Sequence, residues 1–92
     1  MRPVDLSPEA EIDMERLHDF LFEKNPRAAA RLIETLDKAF ASLGSASDRG
    51  RDLGEGLREL IVRFGGRSYV VRYGSDEDGV IIARIWHGLE QR

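Results

Sequence analysis

Apolar positions recur at helical spacing in the first half of the chain and alternate with polar ones in the second. Ala10, Met14, Leu17 and Leu21 form one stripe, with Phe20 beside them and Glu11, Glu15 and His18 opposite. Ser7-Pro8-Glu9 supplies the start signal: a side-chain cap, a residue that needs no donor, and an acid at the positive end of the helix. Asn25-Pro26 repeats that signal, so the first helix is expected to end near Lys24. The second helix should run from Pro26 to about Leu43, with Ala29, Leu32, Ile33, Leu36, Phe40 and Leu43 on one side and Gly44 as the stop. So short a turn between helices predicts an antiparallel hairpin.

Alternation takes over on either side of the hairpin. Val4 and Leu6 predict a short strand at residues 2–6. Leu57–Phe64, Ser68–Tyr73 and Val80–His87 predict three more, joined by turns at Gly65-Gly66 and at 75–79. The stretch 44–56 (GSASDRGRDLGEG) reads as a long loop, and its glycines match no phosphate-binding pattern. The expected fold is α+β, in the order β-α-α-β-β-β: a helical hairpin packed on a mainly antiparallel sheet, one domain over 1–92.

Alternation also divides each late strand between two faces. Leu60, Val62 and Phe64 oppose Glu59, Ile61 and Arg63; Tyr69, Val71 and Tyr73 oppose Ser68, Val70 and Arg72. Ile81, Ala83 and Ile85 oppose Val80, Ile82, Arg84 and Trp86. Which set meets the helices stays open, because a one-residue slip reverses it. One set mixes Ile61, Val70 and Ile82 with Arg63, Arg72, Arg84 and Trp86, where a solvent face would carry more Lys, Glu, Ser and Thr. Aliphatic anchors among arginines and a tryptophan are the composition of a protein interface. The alternative is that these residues pack under the long loop. Arg58 and His87 flank the set and complete the expected contact residues.

Charge sharpens this picture. The net charge of −3 argues against indiscriminate nucleic-acid binding. It is unevenly spread: residues 1–48 carry 6 basic and 10 acidic side chains, residues 49–92 carry 8 and 7. Every basic residue after Lys38 is arginine, which makes planar two-pronged contacts to carboxylates and phosphates. Without cysteine there is no disulfide or thiolate metal site, and a reducing cytoplasm suits the chain. The start, Met1-Arg2-Pro3-Val4-Asp5-Leu6, lacks the apolar core of a signal peptide, and no apolar run is long enough to span a membrane. His18 and His87 have no acids at ligand spacing, so no metal and no cofactor is expected. Acid–base cleavage of RNA would need a proton acceptor, a donor and cations for the phosphorane. Arg72, Tyr73, Arg84 and His87 are the set available, and alternation places His87 opposite Arg84. A binding protein is therefore expected ahead of an enzyme.

Three segments together resemble the ParE family of the RelE/ParE toxin superfamily: Leu6-Ser7-Pro8-Glu9-Ala10-Glu11; Gly56-Leu57-Arg58-Glu59-Leu60 with Ser68-Tyr69-Val70-Val71-Arg72-Tyr73; and Ala83-Arg84-Ile85-Trp86-His87-Gly88. Asn25-Pro26 and the alanine-rich helix after it fit as well, so the resemblance spans nearly the whole chain. It implies a microbial-RNase-like fold, a cytoplasmic location and a hetero-oligomer with a ParD-like antitoxin whose acidic segment folds over the toxin. It implies DNA gyrase as the target. RelE members instead cut mRNA in the ribosome. This sequence has Val70 where they tend to place an arginine, and Glu90-Gln91-Arg92 lacks their basic stretch and tyrosine. Many ParE members read His-Gly-Arg where this chain has His87-Gly88-Leu89, which leaves room for a non-toxic member that only binds its antitoxin.

Overall fold

A computed structural model describes residues 1–90. The chain runs β1 (Val4–Leu6), α1 (Pro8–Phe22), α2 (Pro26–Leu43), β2 (Arg51–Gly54), β3 (Leu57–Phe64), β4 (Arg67–Asp76) and β5 (Gly79–His87). Both helices start as the sequence dictates, each with a side-chain cap followed by proline in the first turn. Ser7 Oγ accepts from Ala10 N at 3.0 Å and Asn25 Oδ1 from Ala28 N at 3.1 Å. The hairpin lies on one face of a five-stranded sheet ordered β1-β5-β4-β3-β2. β1 pairs with β5 in parallel, and every other pairing is antiparallel. Leu32, Leu36 and Leu43 of α2 meet Val71, Tyr73, Val80, Ile82 and Ile85 of the sheet, all fully buried.

The stretch expected as one long loop contains an edge strand. β2 pairs Arg51 with Glu59 and Asp52 with Arg58, then kinks before Gly54. All four of its residues are exposed, so no apolar alternation announces it. β4 is also longer than expected, reaching Asp76. The Asp76 carboxylate closes the turn beyond it by accepting from the backbone amides of Asp78 and Gly79.

The remaining loop, 44–50, is fastened from below by Tyr73. Its phenol donates to Ser47 O at 2.7 Å and accepts from Gly50 N at 2.8 Å. A Cβ on Gly50 would stand 2.7 Å from that phenol oxygen and 2.8 Å from Glu59 O, so only glycine fits. Replacing Tyr73 by Phe leaves the Gly50 amide and Ser47 carbonyl without their partner. The expected loss is about 1–3 kcal/mol in urea unfolding, with no change in far-UV circular dichroism.

One irregularity rearranges β5. Arg72 pairs with Arg84 but Tyr73 pairs with Ile82, so Ala83 is an extra residue, a β-bulge. The bulge is tied to the start of α1, where Ser7 N donates to Ile82 O (2.9 Å) and Ser7 Oγ to Ala83 O (2.8 Å). It shifts the alternation by one. Val80 and Ile82 therefore join Ile85 in the core, and Ile81 joins Arg84 and Trp86 on the face away from the helices. The expectation that Ile82 belongs to the contact face is thus corrected: it is fully buried in the core. Burial of an isoleucine is worth about 1.5–3 kcal/mol, and the bulge secures it for both Ile82 and Ile85.

Candidate docking surface

On the sheet face away from the helices, β3, β4 and β5 bring Ile61, Arg63, Val70, Arg72, Arg84 and Trp86 together. Val70 sits directly across from Trp86, and Arg72 across from Arg84. Both guanidinium groups lie against the indole, at 4.9 Å (Arg72) and 5.1 Å (Arg84) from its ring centre. Both are within range of cation–π attraction. Like charges across a strand pair repel. Here each arginine is matched by its own carboxylate from a different element. Glu59, buried on β3, accepts from Arg72 Nη2 at 2.7 Å and Nε at 3.1 Å. Asp13 of α1 accepts from Arg84 Nε at 2.8 Å. The result is a tethered cluster in which Trp86 and Val70 are nearly closed to water (7% and 3% exposed) while Ile61 stands half open beside them (52%).

Asp13 is the buried hub behind this face. It is 1% exposed and accepts from Arg84, from Arg16 Nη1 at 2.5 Å, and from the Ile85 amide at 2.8 Å on the stretch of β5 that lies beyond the pairing with β1. Burial alone would raise its pKa; the hydrogen bonds from Arg84, Ile85 and Arg16 outweigh that and hold it below the ordinary carboxylate value. Glu90 behaves alike: burial opposes, and Arg16 and the His87 amide prevail. A depressed folded pKa contributes stability that is present above the unfolded value, about 4, and lost as pH falls through the folded value. Urea midpoints should therefore decline as pH drops below about 4, less steeply in Asp13→Asn. Sequence reading passes over Asp13 as one of several acids on α1. The available signal is its register: Ala10, Asp13 and Leu17 are the buried residues of that helix.

The family profile described as "ParE toxin of type II toxin-antitoxin system, parDE" matches residues 4–92. The chain belongs to the ParE toxin family. It is similar to Toxin RelE1 of Caulobacter vibrioides (47% identity, covering 95% of this chain and 94% of that one) and to Toxin RelE3 of the same organism (40%, covering all of both). A solved chain titled "Chromosomal ParDE TA system from P. aeruginosa" shares the fold, with a TM-score of 0.75 at 15% identity over 95% of this chain and 96% of that one. Members of the RelE/ParE superfamily of type II toxins are thus this chain's relatives in sequence and in shape.

The other residues singled out for this ParE chain go elsewhere. Arg58 lies in register with Tyr73 on the helix side and donates to the loop carbonyls of Gly50 (2.9 Å) and Asp48 (3.4 Å), so it serves the loop and not the arginine face. The loop's own contacts with Tyr73 and Arg58 place it at that end of the helix side, away from Trp86. His87 is opposite Tyr69 on the helix side, its ring edge-on to the phenol at 5.2 Å and its Nδ1 accepting from the Leu89 amide. Of the four residues considered for RNA cleavage, Arg72 and Arg84 share one face. Tyr73 is fully buried with its hydroxyl committed, and His87 opens onto the opposite side. Among the described residues no group of three potential metal ligands occurs, and no helix is long and apolar enough to cross a membrane.

Proposed function

We propose that this ParE-family toxin acts in the cytoplasm by docking and breaks no covalent bond: it inhibits DNA gyrase through the face built on Arg72, Trp86 and Arg84. A cognate ParD-like antitoxin neutralises it by laying an acidic segment over that face. The observation that carries the reading is the dispersal of the nuclease candidates: the two arginines are locked on one side of the sheet while Tyr73 is sealed and His87 lies on the other. A concerted proton transfer needs its acid, base and cations within hydrogen-bond reach of one phosphate. The fold shared with a chain from a ParDE system supports an antitoxin partner. Gyrase as target rests on the family resemblance.

A second reading, ribosome-dependent mRNA cleavage, is favoured by the name RelE carried by the Caulobacter relatives. Induction of the chain alone and with its neighbouring gene separates the two. Docking on gyrase predicts filamentous growth arrest with DNA-damage signalling, relieved by the neighbour. Rapid translation arrest with cut mRNA would overturn it, and absence of arrest would reduce the chain to an antitoxin-binding relative.

A further inference from the structure

The arginine face is not evenly charged, because its residues fall into rows across the sheet. Strand register sets Arg72 beside Arg84 in one row, Ile61, Val70 and Trp86 in the next, and Arg63 beside Ser68 in the third. Successive rows are two residues apart along the strands, about 6.5–7 Å. In the first row each guanidinium uses Nε and Nη2 on its own carboxylate, and Nη1 of each donates to no described atom. Both side chains reach solvent, at 34% (Arg72) and 42% (Arg84) exposed, and both border the one indole. In the third row Arg63 is exposed, and among the described residues it is paired with no carboxylate. The row between these cations is apolar, with Ile61 half open.

Cation, aliphatic, cation at that spacing selects a partner. A carboxylate accepts from two guanidinium N–H groups at once, which suits the paired Nη1 donors. An extended chain turns every second side chain to the same side, with the same repeat of about 6.5–7 Å. A segment laid along β4 with an acid at i, an aliphatic residue at i+2 and an acid at i+4 therefore meets all three rows. Its path drifts toward β3 by about one strand, which is the crossing of roughly 30° at which layers of strands pack. A nucleic-acid strand is a poorer match: it carries a charge at every residue, and the middle row answers with aliphatic side chains.

We infer that the arginine face reads its protein partner by spacing: it takes an extended segment of the pattern acid-x-aliphatic-x-acid. Arg72 and Arg84 together clamp one carboxylate, Arg63 takes the other, and Ile61 receives the aliphatic side chain between them. The pattern is the same from either end, so the rows fix the spacing of the segment and not its direction. The inference rests on the docking reading above and names the chemistry of what docks.

The test is an NMR titration of the full chain with two end-blocked peptides of one composition. One carries the core Glu-Thr-Leu-Thr-Glu and the other Glu-Glu-Thr-Leu-Thr. The first should bind about tenfold more tightly and shift the Trp86 indole N–H and the Ile61 methyls. Arg63→Gln, at an exposed position, should weaken it about threefold. A peptide with its last glutamate replaced by glutamine should lose the same factor and no longer respond to Arg63→Gln. Arg67→Gln, in register with Phe64 on the helix side, should change nothing. Equal binding of the two peptides, preference for a helical peptide with the same three groups at i, i+4 and i+8, or tighter binding of a single-stranded RNA hexamer at the same resonances would overturn the inference. Equal peptide binding together with antitoxin affinity that still depends on Trp86 would strike the spacing rule alone and leave the docking reading standing, so the two failures are distinguishable.

Discussion

Replacing Asp13 by alanine is expected to cost about 2–4 kcal/mol of folding stability. A domain of this size holds on the order of 5–15 kcal/mol, so the loss is a sizeable share of the total. The cost has two parts. The Ile85 amide loses the carboxylate that satisfies it, at a buried position on β5. Arg16 and Arg84 lose their shared anion, but both side chains are partly exposed and regain water. That recovery keeps the figure below the one for a fully buried pair. Asn at this position keeps the size and one acceptor and should fall between wild type and Ala. Urea denaturation at neutral pH measures all three. Equal stability of Asp13→Ala and wild type would show that the carboxylate does not hold α1 to β5.

Replacing Trp86 by alanine should weaken antitoxin binding by about 2 kcal/mol or more, roughly thirtyfold, and abolish growth arrest. The indole is the surface on which both guanidinium groups rest, so its loss removes an apolar anchor and leaves Arg72 and Arg84 held by Glu59 and Asp13 alone. Stability must be measured alongside, because Trp86 is itself mostly buried and its truncation also loosens Val70 across the strand pair. Binding is therefore compared at a temperature where both proteins are folded. Trp86→Phe, which keeps a flat ring, should recover part of the affinity. Undiminished affinity in a folded Trp86→Ala protein would remove this face from the docking account.

What the sequence disclosed and what it hid follow from where the information resides. Both ends of α2 were readable, because Asn25-Pro26 and Gly44 are local signals and Leu32, Leu36, Phe40 and Leu43 keep helical period. The arginine-and-aliphatic face was legible on β3 and β4 for the same reason: alternation there is unbroken from Leu57 to Tyr73. It failed on β5 at Ala83. A bulge with no glycine or proline leaves no local mark; here its position is fixed by Ser7, at the far end of the sequence. β2 was invisible because an exposed edge strand has no buried side to alternate with. Asp13 was hidden by its neighbours, since an acid on an acidic helix looks solvated until the helix is docked.

The central claim is that this toxin works by occupying a surface with its arginine–tryptophan cluster. The most direct test sets the purified chain against DNA supercoiling by gyrase and, in parallel, against mRNA on translating ribosomes. Inhibited supercoiling, restored by antitoxin and lost in Trp86→Ala, with the mRNA left whole, is the predicted result. Severed mRNA that becomes intact in His87→Ala, with gyrase unaffected, would contradict it.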